Sequence, residues 1–111
     1  MKSPFEEMTL HCEVRSTGDT SVICLSGRFV FQSHRSFREA YEQALARSDT
    51  RVIKVDFGKV EYLDSSALGM LLLLREKVEA DRKTVQLSEV KGVIRQVLEV
   101  ANFHKLFKII S

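Results

Sequence analysis

The chain has no tryptophan, a single proline (Pro4) and only two cysteines, Cys12 and Cys24. So few thiols exclude the disulfide framework that staples small secreted domains. One proline and five glycines in 111 residues leave no linker, internal repeat or low-complexity tract. No apolar run reaches the roughly 18 residues of a membrane-spanning helix, so direct membrane insertion is not expected. Seventeen basic against 15 acidic residues give a net charge of +2, too little to argue for nucleic acid, and no basic run or aromatic platform alters that. The three histidines, His11, His34 and His104, show no ligand or catalytic spacing, and no glycine-rich phosphate loop is present. No metal or cofactor is therefore expected. Acidic residues stand where a signal peptide would be apolar, so residues 1–8 read as a loose lead and the chain is expected in the cytoplasm.

What is present is the composition of an ordinary globular protein, 44% hydrophobic and 29% charged, long enough to bury one core, so residues 1–111 are expected to form a single domain. Thr9 to Arg15 alternates, with Leu10, Cys12 and Val14 on one face, as a half-buried strand does. After the turn Ser16 to Asp19, Thr20 to Leu25 is more continuously apolar and ends at Gly27, so the two strands are expected to form an antiparallel hairpin. Cys12 and Cys24 fall on these neighbouring strands. A bridge between them is conceivable on that ground, but two reduced, buried thiols are expected.

From Ser36 to Arg47 the apolar residues Phe37, Ala40, Tyr41, Ala44 and Leu45 follow helical spacing, with Ser36 and Glu39 fitting a capping box. Arg51 to Phe57 reads as a β-branched strand ending at Gly58, and Thr84 to Ser88 as another. Val90, Val93, Ile94, Val97, Leu98 and Ala101 mark a last helix, with Asn102 as its stop. Strands alternating with helices after a hairpin predict an α/β fold. It should hold a mixed sheet of about four to five strands, the later ones parallel, with about three to four helices.

The stretch from Val60 to Glu76 organises the rest. A strand exit meets a helix entry there, with three N-cap residue types in a row, Asp64, Ser65 and Ser66. A helix start offers unpaired N–H groups and the positive end of the macrodipole, so it accepts added negative charge. At 100° per residue, Ala67, Met70, Leu71, Leu74 and Val78 share one arc and should face the core. Ser65, Leu68, Gly69, Leu72 and Glu76 fall on the other side.

The segment Tyr62 to Leu71, Y-L-D-S-S-A-L-G-M-L, resembles the signature of the STAS domain family of bacterial anti-sigma-factor antagonists. Leu25-Ser26-Gly27 is similar to that family's turn after its second strand, and Asn102 to Ile110 to its C-terminal ending. The resemblance implies a protein-interaction switch rather than an enzyme. Ser65, directly after Asp64, would be phosphorylated by a serine kinase that doubles as an anti-sigma factor, with Ser66 as second choice of acceptor. The unphosphorylated form would bind that kinase and free a sigma factor, and a PP2C-type serine phosphatase would reset it. Ser65, Leu68, Gly69, Leu72 and Glu76 would form the partner-binding face. Ala67 replaces a common family glycine, and Val30 stands where an Asp often serves kinase recognition.

Two other functions compete. A serine at a strand-to-helix corner is similar to a nucleophile elbow, but Leu63-Asp64-Ser65-Ser66-Ala67 lacks both glycines of G-x-S-x-G. Free-standing STAS-like proteins also resemble subunits of membrane transporters such as lipid-transport ATPases, and such a subunit would use the same surface without phosphorylation.

Overall fold

The computed structural model describes residues 10–111, so the lead expected over residues 1–8 lies outside the described residues. Five strands are present among the described residues: β1 (Leu10–Thr17), β2 (Thr20–Phe29), β3 (Val52–Leu63), β4 (Thr84–Ser88) and β5 (Lys108–Ile109). They stand in the order β1-β2-β3-β4-β5, the first pair antiparallel and the others parallel. Three α-helices connect them, α1 (His34–Leu45), α2 (Ser65–Ala80) and α3 (Gly92–Val100), with 3-10 turns at Phe31–Ser33 and Phe103–Lys105. This is the mixed α/β architecture expected from the alternation of elements.

One core accounts for the packing. Ile23, Leu25, Ile53, Val55, Phe57 and Leu87 project from the sheet and meet Phe37, Ala40 and Ala44 of α1, Ala67, Met70, Leu71, Leu74 and Val78 of α2, and Ile94 and Leu98 of α3. The opposite set on the strands, including His11, Glu13, Arg15 and Lys54, is exposed or half-buried apart from Ser88. The three described helices therefore cover one face of the sheet, and no described element covers the other, mostly polar face. Two lysine and arginine side chains seal the layer edges: Lys83 Nζ donates to the Leu45 and Arg47 carbonyls at 3.2 and 3.1 Å, and Arg75 Nε to the Leu106 carbonyl at 3.0 Å.

Four expectations are corrected. β3 does not end at Gly58 but runs on to Leu63, and β2 passes Gly27, at φ +105°, to reach Phe29. The pairing steps from Cys24↔Asp56 to Ser26↔Lys59 and from Gly27↔Val60 to Arg28↔Tyr62, so β3 carries extra residues in two bulges. Its buried residues then fall at Phe57, Val60 and Leu63, every third position, which hides the strand from a search for alternation. The Ser36–Glu39 capping box does not form. α1 starts earlier, after Ser33, whose buried hydroxyl accepts from Val30 N–H at 3.1 Å and donates to the Arg28 carbonyl at 2.9 Å. Glu39 instead faces solvent and pairs with Arg35 at 3.6 Å.

At the cysteines the conceivable bridge is ruled out and the expected burial is only partial. Both are free and half-buried, but Cys12 lies opposite Leu25 and Cys24 opposite Glu13. The thiols therefore project from opposite faces of the sheet and cannot be joined. Burial pushes the Cys12 thiol from its ordinary 9.0 up to about 12, and burial followed by Asp56 raises that of Cys24. Above pH 9 the unfolded chain gives up protons that the folded chain keeps, so this contribution to stability is complete below about pH 9 and is lost as pH rises towards about 12. Urea midpoints should thus be level near pH 8 and decline above about pH 9, and Cys12→Val should make the decline shallower; an unchanged slope in the variant would remove Cys12 as its cause.

Candidate functional site

Two corners of the chain meet at Asp64. The end of β2 turns through Val30 into the 3-10 turn, and the end of β3 turns through Asp64 into α2. Phe29 and Leu63 are register partners, so both corners lie at the same end of the sheet. Asp64 is extended, at φ −112° and ψ −178°, and acts as N-cap of α2: its Oδ1 accepts from Ala67 N–H at 3.0 Å. Its other oxygen accepts from Phe31 N–H at 3.3 Å, and its own N–H donates to the Phe29 carbonyl at 3.2 Å. One carboxylate thus caps a helix and pins the neighbouring corner to it.

Ser65 is the first residue of α2 and is exposed; Ser66, one residue on, is half-buried. Neither hydroxyl bonds to another described residue. With Asp64 already committed to two backbone donors, the Ser65 oxygen stands at the helix mouth with no described side chain holding it. Apart from the capping Asp64 the first turn carries no acidic residue, so an anion there meets the positive end of the dipole.

Apolar side chains stand around this corner. Phe31 is 68% exposed and Leu72 39%. Leu68 is half-buried and lines a shallow groove of about 330 Å³ with Gln96, Val97, Val100 and Ala101 of α3 and the residue following it. Gly69 and Glu76 are exposed, and a Cβ built on Gly69 would meet nothing within 4 Å. The five residues expected on one side of α2 are therefore together, with Leu68 turned partly under α3. Val30 is half-buried beside them. Below the corner, Arg28 sits over the exposed ring of Tyr62, 4.6 Å from its centroid.

The sequence did not point to Phe31, Val97, Val100 or the Arg28–Tyr62 stack as part of this site. α3 buries only Ile94 and Leu98 fully, and Val93 and Val100 face solvent at 70% and 85% exposure. A signal was available, because apolar residues cover more of this helix than one core-facing stripe needs. For Phe31 there was none: its placement depends on a bond to a residue 33 positions away. His11, His34 and His104 are all exposed; His34 directly follows the 3-10 turn of the corner, its N–H donating to the Phe31 carbonyl.

Comparison with known proteins gives a consistent picture. A family model described as "Mlab, STAS domain" matches residues 12–110. A STAS-domain containing protein of Pseudomonas aeruginosa is 42% identical over 92 residues, 83% of this chain and 89% of that one. Among solved structures, an anti-sigma factor antagonist from Mycobacterium paratuberculosis superimposes with a TM-score of 0.82 at 19% identity, covering 99% of this chain and 90% of that chain. The Bacillus cell fate determinant SpoIIAA, solved unphosphorylated and phosphorylated, has a TM-score of 0.68 at 20% identity in both forms, covering 91% of this chain and 87% and 92% of those chains.

The hydrogen bonds at Asp64 set an order of stabilities. Asp64→Ala should destabilise the fold by about 1–2 kcal/mol, since the cap and the tie to Phe31 are lost together. Asp64→Asn should cost less, and Ser65→Ala should stay within about 0.5 kcal/mol. Urea unfolding ranks the three, and a Ser65→Ala loss as large as that of Asp64→Ala would mean the hydroxyl is structural.

Proposed function

The chain belongs to the STAS domain family, and on that premise we propose that it is a phosphorylation-controlled interaction switch of the anti-sigma-factor antagonist kind, with Ser65 as acceptor. In this reading the chain catalyses nothing and works in the cytoplasm. Unphosphorylated, it binds a serine kinase that doubles as an anti-sigma factor and so frees a sigma factor. Phosphorylated, it is released, and a PP2C-type phosphatase resets it.

The observation that carries this reading is the exposed Ser65 hydroxyl at the mouth of α2, bonded to no described residue and flanked by exposed Phe31 and Leu72. A phosphoryl group would add about −1.5 to −2 charges there. The helix start tolerates that charge in the free protein, so the fold has no reason to change. An interface that buries Phe31 and Leu72 has to desolvate it next to Asp64, at a cost on the order of a few kcal/mol if it is unpaired. One covalent event thus turns an apolar patch into a hydrated anion. Ser66 is the less accessible alternative.

Gly69 supports the partner surface from another direction. A glycine inside a helix costs about 0.5–1 kcal/mol relative to alanine, yet open space surrounds this one. Its benefit lies in what approaches from outside, a partner backbone seated close to α2 between Ser65 and Leu72. Where the family often has an acid, Val30 beside Phe31 makes this corner apolar, so kinase docking would rest on packing more than on charge.

Incubation with cell extract and ATP followed by mass spectrometry should place phosphate on Ser65. In pull-downs, Ser65→Ala should retain the kinase partner and Ser65→Asp should lose it by about tenfold or more. Equal recovery by both would remove charge gating. If both forms instead recover a membrane transporter and no phosphate reaches Ser65, the chain is a transporter subunit. Leu72→Glu should fold normally, as its side chain is already partly in water, and fail to bind. Gly69→Ala should raise stability by about 0.5–1 kcal/mol while weakening the partner complex; a tighter complex would show that the glycine serves no contact.

A further inference from the structure

Among the described residues β1 pairs with β2 alone and forms one border of the sheet. Its eight residues include no proline, and its register with β2 runs without a shift. Among the described residues the usual devices that blunt an edge strand are thus missing, apart from outward charge. The hairpin decides which backbone groups are left over. Gly18, at φ +60°, and Asp19 form a two-residue turn closed by Thr17 and Thr20. In that geometry Thr17, Arg15 and Glu13 exchange bonds with β2, whereas Ser16, Val14 and Cys12 direct their N–H and C=O groups outward. Beside them a groove of about 250 Å³ opens between β1 and α1, lined by Leu10, Cys12, Val14, Ser36, Glu39 and Gln43 among others.

We propose that this edge pairs with β1 of a second copy of the chain, antiparallel and centred on Val14. Two-fold antiparallel pairing sets opposed residues on the same face, so the axis passes through a residue and not between two. Of the residues at mid-strand, centring on Glu13 would oppose two glutamates and centring on Arg15 two arginines. Centring on Val14 sets each Glu13 against Arg15 of the other copy, twice by symmetry, and brings the two Val14 side chains together on the helix-covered face. Glu13 and Arg15 are both well exposed and already share a face, 3.3 Å apart within one strand, so the pairing builds an alternating cluster of four charges. These are the pairs without direct backbone bonds, in which opposed side chains lie closest. The groove beside α1 is where the second strand enters.

Such a dimer joins two five-stranded sheets into one and leaves both Ser65 corners free. Ile23 is the β2 partner of Val14, and the corner begins six residues further on, about 20 Å away at strand spacing. The assembly would therefore present two switches, and a dimeric kinase would gain from holding both.

Sedimentation equilibrium on the full chain from about 10 µM to about 1 mM tests this. Wild type should dimerise, Glu13→Arg and Arg15→Glu should each raise the dissociation constant about tenfold or more, and the double variant should recover it. A wild type that stays monomeric, single variants that dimerise as wild type does, or a double variant that stays dissociated would each overturn the proposal. Amide exchange on unmodified protein gives a second reading: the amides of Cys12, Val14 and Ser16 should slow with rising concentration while those of Glu13 and Arg15 do not, and concentration-independent exchange at all five would also refute it.

Discussion

The carboxylate of Asp64 is the contact on which the site depends. It stands between two segments far apart in sequence and satisfies a backbone donor in each, Ala67 N–H at the start of α2 and Phe31 N–H after β2. Without it the Phe31 N–H would be unpaired at an element end, and the Ala67 N–H would keep only its 3.1 Å bond to the Asp64 carbonyl. Because the acid is consumed in this way, the residue after it is left unencumbered, at the one place on a helix where added negative charge is welcome. The exposure of Ser65 is thus a consequence of how its neighbour is bonded.

The bulged end of β3 determines where that corner lies. Two extra residues against β2 carry the strand past Gly58 and bend it, so that Leu63 still meets Phe29 and the two loops leave the sheet side by side. A regular strand ending at Gly58 would have left the chain about five residues short of this meeting point, at roughly 3.3 Å each. The Ser33 hydroxyl does comparable work on the other loop, closing the turn against Arg28 and Val30.

Covering only one face of the sheet has consequences for the surface as well. α2 buries a full stripe, Ala67 to Val78, yet leaves Leu72 and Leu73 partly in water, and α3 leaves Val93 and Val100 outside. None of these residues belongs to the core, and with the exposed Phe31 they leave more apolar surface in water than the packing of the domain requires. The uncovered face is polar throughout its β1 edge, where Glu13 and Arg15 supply order rather than hydrophobic attraction.

Sequence alone determined the alternation of strands and helices, the hairpin, the core stripe of α2 and the helix start at Asp64, because each is written in local spacing or in a cap. The bounds of β4 were readable for the same reason. Other features needed the tertiary structure. The continuation of β3 was hidden because bulges break the two-residue period, and the true start of α1 because Ser33 is fixed by bonds across a turn rather than by a capping box. Phe31 joined the site through a hydrogen bond spanning 33 residues, and the separation of Cys12 from Cys24 followed from a register of one residue. Local patterns report which face a residue prefers, whereas what stands opposite it is decided only when distant segments pair.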